Sequence, residues 1–116
     1  MFKLGNLPAM MSGLQKLPQA MAAMTEKLRE ERIYVETGAG SVQVCFNGLG
    51  EMQTVELKSE NQPAEELQRW VLDACNQGHA QAKQRYAEAM HDLASELKLD
   101  GMPGFDSAMS SLMGGQ

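Results

Sequence analysis

The stretch 33–58 constrains the fold most, because alternating apolar residues lie there between two glycine-containing turns. The alternating apolar positions in its middle are Val42, Val44 and Phe46. This period of two is typical of a strand with one buried face. Gly38-Ala39-Gly40 and Asn47-Gly48 supply residues that accept positive φ, which tight hairpin turns require, and we expect it at Gly48. The pattern predicts three antiparallel strands, at 32–37, 41–46 and 52–58.

The third strand contains an irregularity. Met52 is out of phase with Val55 and Leu57, so the sequence predicts a longer turn or a β-bulge between Leu49 and Met52. A three-stranded meander this short has too little core to be stable alone. We therefore expect the flanking segments to cover its apolar face.

The segment before the strands has apolar residues alternately three and four positions apart, which predicts a helix at about 8–31. These residues are Leu7, Met10, Leu14, Leu17, Met21, Met24 and Leu28. Proline inside a helix costs about 3 kcal/mol, so Pro18 predicts a kink, with two helices at 8–17 and 18–31 as the alternative. The seam is narrow, which favours pairing with another chain or with the second helix over packing on the sheet.

A long helix is predicted from about Pro63 to Leu99, with Glu65 and Glu66 in its first turn. Ala74, Gly78 and Ala82 form a small-residue stripe that permits close approach of another element. The predicted fold class is therefore α+β: helix, three-stranded antiparallel meander, long helix. We expect residues 1–100 to form one dimerising domain and 101–116 to form a flexible tail.

Composition limits the function. The chain has 116 residues, 43% of them hydrophobic, and a net charge of -5, which argues against a simple basic nucleic-acid binder. No apolar run approaches the roughly 20 residues of a membrane span, and no signal peptide is visible, so we expect a cytoplasmic protein with reduced cysteines. Two helical seams and one small sheet leave more apolar surface than a monomer of this size covers, which favours a homodimer.

The sequence offers little for catalysis. Cys75 and His79 are four residues apart on the second helix, but two ligands do not make a zinc site. The pairs Glu30-Glu31 and Glu65-Glu66 lie at helix ends, where they serve solubility and the helix dipole. We therefore predict no enzyme activity, no metal site and no cofactor.

Basic residues are few and lie among acidic neighbours such as Glu26, Glu30 and Glu31. On an ideal helix, positions 27, 29 and 32 spread around the axis. From charge alone, a solvated surface is favoured over a nucleic-acid patch, and aromatic platforms for single strands are absent.

Several motifs together resemble the YbaB/EbfC family: a leading Met1-Phe2, a methionine-rich first helix, and the turns just described. The specific part is the spacing of Gly38-Ala39-Gly40, Val42 and Val44, Asn47-Gly48, and Val55-Glu56-Leu57, with Met102-Pro103-Gly104-Phe105 at the end. The resemblance implies an intertwined homodimer with projecting helices. It also implies a nucleoid-associated protein that binds double-stranded DNA with little sequence preference.

If DNA binding carries over, the contacts must come from the lysines and arginines of the two helices. The candidates are Lys16, Lys27, Arg29, Arg32, Lys83 and Arg85. The chain departs from the family pattern in its sparse charge on the first helix and in Glu51, Met52 and Gln53 after the second turn. The alternative is a dimeric protein-interaction scaffold of the same fold, which binds a protein partner through the methionine-rich helix and does not bind DNA.

Overall fold

The computed structural model describes residues 7–58 and 60–99 of the chain. The elements in chain order are α1 (Leu7–Glu30), β1 (Arg32–Thr37), β2 (Val42–Asn47), β3 (Met52–Leu57) and α2 (Ala64–Glu96). This order confirms the predicted α+β fold, with strand bounds within one residue of the prediction. The flexible tail predicted at 101–116 lies outside the described residues.

The chain forms two compact units. The first contains the described residues 7–26 and 87–99, and the second contains residues 27–86. Both helices therefore contribute to both units, while the sheet belongs to the second unit alone.

The sheet has the order β1-β2-β3, and both pairings are antiparallel. The register joins Val35 to Val44 and Val44 to Val55, so these side chains share one face of the sheet. A register shift after Cys45 pairs Phe46 with Met52. The predicted irregularity is thus confirmed, and it places Met52 in the same row of side chains as Phe46.

The two turns differ in how they use glycine. Gly38, Ala39 and Gly40 all have positive φ, at 60°, 54° and 87°, as the sequence predicts for the first hairpin turn. The expectation for Gly48 is wrong, because in the second turn the positive φ of 87° belongs to Gly50. Gly48 is needed for another reason, since a Cβ on it would lie 2.7 Å from the carbonyl oxygen of Leu28.

Helix α2 covers β1 and β2 through its stripe of small residues. Ala74 is fully buried and Ala82 is 4% exposed, and a Cβ on Gly78 would collide with the ring of Phe46. Near the start of the helix, the hydroxyl of Thr37 donates to the carbonyl oxygen of Trp70 at 2.7 Å. The predicted close approach is confirmed, and the approaching element is the chain's own sheet. The buried cluster consists of Ile33, Val35, Val42, Val44, Phe46, Ala74 and Ala82.

In the first unit, α1 packs closely against the residues that follow α2. A Cβ on Gly13 would collide with the carbonyl oxygen of Leu97, and Leu99 is 1% exposed. This contact joins α1 to the turn that follows α2 rather than through the predicted seam, whose residue Leu14 is 45% exposed. Pro18 lies inside one continuous helix of 24 residues, so the alternative of two separate helices is wrong.

Candidate nucleic-acid interface

The junction between α1 and β1 is built around the guanidinium group of Arg32. Its Nη1 donates to the carbonyl oxygen of Arg29 at 3.0 Å and to that of Glu31 at 2.9 Å. Carbonyl groups in the last turn of a helix have no partner within the helix and carry its negative partial charge. Arg32 therefore satisfies the end of α1 and lies next to the backbone of Arg29.

A second arginine reaches the same junction from α2. Arg85 Nη1 lies 3.0 Å from Glu31 Oε1, and the two side chains are 40% and 34% exposed. A pair of this exposure stabilises the fold by about 1 kcal/mol or less, but it fixes where the guanidinium group lies. The structure thus brings the guanidinium groups of Arg32 and Arg85 to one junction, the first on the backbone carbonyls of Arg29 and Glu31 and the second on the Glu31 carboxylate. We call the three arginines of this junction, Arg29, Arg32 and Arg85, the arginine cluster.

The remaining residues predicted to contact DNA do not form a single face with the arginine cluster. Lys27 and Arg29 are both exposed, but residues two apart on a helix point about 200° apart around its axis. Lys83 and Arg85 on α2 are likewise two positions apart and point to different sides of that helix. Arg32 lies in β1 rather than on the helix, so the expected spread around one helix axis concerns positions 27 and 29 alone. Lys16, also exposed, lies in the other unit.

Two exposed cations of the second unit were not among the predicted contacts. Lys58 follows β3, and Arg69 lies in the first turns of α2, 4.0 Å from Glu66. Their charge was visible in the sequence, but nothing in their spacing set them apart from other surface residues.

Strand β3 presents an apolar surface that helix α2 leaves uncovered. Met52, Val55 and Leu57 are 45%, 46% and 51% exposed, although their partners on β2 are buried. We call these three residues the β3 strip. The expectation that the flanking segments cover the whole apolar face is therefore wrong for its third strand within the described structure. As an edge strand, β3 also has a row of backbone groups without a strand partner.

The two cysteines and His79 occupy packing positions. Cys45 is buried, Cys75 is half-buried, and both are free thiols. The imidazole of His79 meets the ring of Phe46 edge-on, with centroids 5.4 Å apart. Within residues 7–58 and 60–99, no three His, Cys, Asp or Glu side chains group as metal ligands.

Over the described part of the chain, neither α1 nor α2 combines the length and the apolar character needed to cross a bilayer.

A three-stranded antiparallel meander that lies between two long helices in chain order, with an arginine cluster at the first helix–strand junction, defines a class of small α+β proteins. The chain belongs to the YbaB/EbfC DNA-binding family, whose model matches residues 3–97.

Relatives agree with this assignment, and a solved structure shares the fold. A "Nucleoid-associated protein" of Pelotomaculum thermopropionicum is 32% identical over 101 residues, which cover 84% of this chain and 96% of the relative. Another of that name, from Persephonella marina, is 37% identical over 98 residues, which cover 81% and 88%. The crystal structure of the uncharacterized protein HP0035 from Helicobacter pylori matches with a TM-score of 0.61 at 23% identity, covering 69% of this chain and 96% of that one. This last likeness concerns the fold alone.

Proposed function

We propose that this protein is a nucleoid-associated protein that binds double-stranded DNA with little sequence specificity as a homodimer. The observation that carries the proposal is the family match, which spans residues 3–97 and includes both helices and the sheet. Relatives that share about a third of the residues over most of their length are nucleoid-associated proteins. The proposal places the protein at the nucleoid, in the bacterial cytoplasm.

The arginine cluster supports contact with the DNA backbone. Arginine forms charge-assisted hydrogen bonds to phosphate, and such contacts carry no sequence information. The acidic residues at the same junction, notably Glu31, offset part of this charge. Because non-specific binding depends on the number of phosphates neutralised, we expect an affinity of roughly micromolar or weaker at physiological salt.

The β3 strip supports a homodimer. Three half-exposed apolar side chains on an unpaired edge strand are a liability for a soluble protein unless another surface covers them. A second copy of the chain brings an identical strip, and the two can meet across a two-fold axis. A dimer also doubles the number of arginine clusters available to one DNA duplex.

The test is a titration of duplex DNA at several salt concentrations. The logarithm of the binding constant should fall with the logarithm of salt, with a slope of about -0.9 for each phosphate neutralised. The variant Lys27→Gln/Arg29→Gln removes the two basic residues of the last turn of α1, next to the junction, and should flatten this slope. Arg32 is left intact in this variant because its guanidinium group holds the end of α1.

A matched control is Lys58→Gln/Arg69→Gln, which removes the same charge from exposed positions away from the junction. If both variants flatten the slope equally, net charge alone controls binding and the junction is not the contact surface. If the unmodified protein fails to retain duplex DNA even at low salt, the proposed function is wrong.

The second candidate is the dimeric scaffold that binds a protein through its methionine-rich helix. It is favoured by the net charge of -5 and by exposed apolar residues on α1, where Met11 is 54% and Leu14 45% exposed. Loss of DNA retention together with an intact dimer would support this candidate.

A further inference from the structure

We propose that α1 carries a second self-association surface, separate from the β3 strip, on which another copy of the chain binds through the same residues in antiparallel orientation. The surface is a row of four exposed, uncharged residues: Met11, Leu14, Pro18 and Ala22. They are three, four and four positions apart, so they lie within about 80° of the helix circumference and extend along about 16 Å of its length. We call them the α1 row. The association itself does not depend on DNA binding.

The α1 row adjoins the side of α1 that the chain already covers. Met10 is buried, and so is Gly13, where a Cβ would collide with the carbonyl oxygen of Leu97. Met11 and Leu14 directly follow these two residues in sequence, so they point about 100° away from them, and both are exposed. Met10 and Leu14 belong to the same heptad seam. The chain therefore covers one half of this seam and leaves the other half open.

Charge favours a second copy as the occupant of the α1 row. The chain has a net charge of -5, so two copies repel each other over most of their surfaces. From residue 7 to residue 25 the only charged residue is Lys16, which points about 160° away from the middle of the row. Two copies can thus meet at the α1 row without bringing like charges together. A strongly charged ligand would find no opposite charge there.

The size of the side chains also matches a copy of the same row. Met11 and Leu14, at one end, have long side chains, whereas Pro18 and Ala22, at the other end, are compact or small. In an antiparallel pair with a two-fold axis, Met11 of one copy lies opposite Ala22 of the other, and Leu14 lies opposite Pro18. Large side chains then face small ones along the whole row, which allows the two helices to approach closely. A parallel pair would set large against large and small against small.

The chain would then have two different self-association surfaces, the β3 strip in the second unit and the α1 row in the first. Homodimers formed by one surface can join through the other into longer series. A row of four side chains is smaller than a standard protein interface, so this second contact is weak in dilute solution. On DNA, to which the proposed function assigns the protein, neighbouring copies would reach an effective concentration of about 1 mM, and binding would become cooperative.

Sedimentation equilibrium without DNA tests the second surface. Between micromolar and about a hundredfold higher concentration, the average mass of the wild type should rise from two chain masses to four or more, as expected for a small, transient interface. Met11→Glu/Leu14→Glu should stay at two chain masses, because its carboxylates would have to be buried without partners. The control Ser12→Glu/Gln19→Glu adds the same charge at exposed positions of α1 about 100° or more from the middle of the row, and it should associate like the wild type.

The variant Val55→Asp/Leu57→Asp separates the two surfaces. It keeps the α1 row, so its average mass should rise from one to two chain masses over the same range and stop there, because a two-fold contact closes with two copies. A mass that stays at one chain would overturn the proposal, whatever the result with DNA. So would a wild type that stays at two chain masses, or a Met11→Glu/Leu14→Glu variant that is monomeric at micromolar concentration.

The antiparallel arrangement is tested by exchanging charge across the contact. Met11→Glu and Ala22→Lys should each weaken the association at high concentration. The double variant Met11→Glu/Ala22→Lys should restore it, because the introduced carboxylate of each copy then faces the introduced ammonium group of the other. Glutamate and lysine are good helix formers, so α1 should keep its helical circular dichroism in all three variants. If each single variant loses the association and the double variant does not regain it, the antiparallel contact is wrong.

Discussion

At the scale of single residues, the end of α2 has an unusual cap. Lys98 has a φ of 58°, its N–H donates to Ser95 O at 3.1 Å, and the N–H of Leu99 donates to Ala94 O at 2.8 Å. This pair of bonds is the Schellman motif, in which the left-handed position is usually glycine. A side chain with a Cβ costs about 1–2 kcal/mol in that conformation.

We therefore predict that Lys98→Gly stabilises the protein. Glycine relieves the strain but also gives the unfolded chain more freedom, an opposing effect of about 0.4–1 kcal/mol. The net gain should be about 0.5–1 kcal/mol in the free energy of unfolding, measured by urea denaturation. Lys98→Ala removes the same charge while keeping the Cβ, so an equal gain from alanine would contradict the backbone explanation.

Asn47 determines the second turn through its side chain. It is 1% exposed, and its Oδ1 accepts the N–H groups of Leu49 and Glu51, each at 3.0 Å. Its Nδ2 donates to Glu51 Oε1 at 2.7 Å. The side chain thus closes a loop in which Gly50, rather than Gly48, takes the positive φ.

Asn47→Ala should lower the free energy of unfolding by about 1–3 kcal/mol, because two backbone N–H groups lose their acceptor. Asn47→Asp keeps the acceptor but sets two carboxylates side by side, so it should also destabilise the fold near neutral pH. Adding Glu51→Gln to Asn47→Asp exchanges donor and acceptor and should recover part of the loss. A thermal midpoint that stays unchanged in Asn47→Ala would show that the turn forms without this side chain.

At the scale of elements, the contact between Gly78 and Phe46 determines how closely α2 approaches the sheet. Alanine is better than glycine in a helix interior by about 1 kcal/mol, so Gly78→Ala would stabilise an isolated α2. In the folded protein the added Cβ collides with the Phe46 ring, and overpacking of this kind costs about 1–3 kcal/mol. We therefore predict net destabilisation.

A double-mutant cycle separates these two effects. In a Phe46→Leu background the ring is gone, so Gly78→Ala should become neutral or stabilising, and the coupling energy should exceed about 0.5 kcal/mol. If the two substitutions change the free energy of unfolding additively in thermal or urea denaturation, α2 does not pack against this ring.

The sequence predicted the elements well because their signals are local. The alternation at Val42, Val44 and Phe46 and the spacing of the α1 seam depend only on the periods of strand and helix. The Gly48 expectation failed because φ in that turn is set by hydrogen bonds to Asn47, and dipeptide statistics do not contain them. The arginine cluster could not be predicted from the sequence, because Arg85 and Glu31 are far apart in the chain and come into contact only in the folded protein.

At the scale of the whole molecule, the exposed apolar residues bear on assembly. In the second unit the β3 strip and Leu72, which is 60% exposed, remain accessible to solvent. Sequence reasoning predicted a dimer from excess apolar surface, but it could not locate that surface. The alternation of β3 resembles that of β2, and only the position of α2 decides which of the two strands is covered.

The last prediction follows from the proposed homodimer. Sedimentation equilibrium at micromolar concentration should give twice the chain mass of 12.7 kDa. Val55→Asp/Leu57→Asp should shift the protein to monomers, because charges on the β3 strip would have to be buried without partners in a dimer. Its salt slope for duplex DNA should fall to about half, since one chain neutralises half as many phosphates as two.

Gln53→Asp/Thr54→Asp is the control: it adds the same charge to the same strand without altering the strip, and it should remain dimeric. A wild-type protein that sediments as a stable monomer would remove the homodimer from the proposal, and a dimer that survives Val55→Asp/Leu57→Asp would place its interface elsewhere.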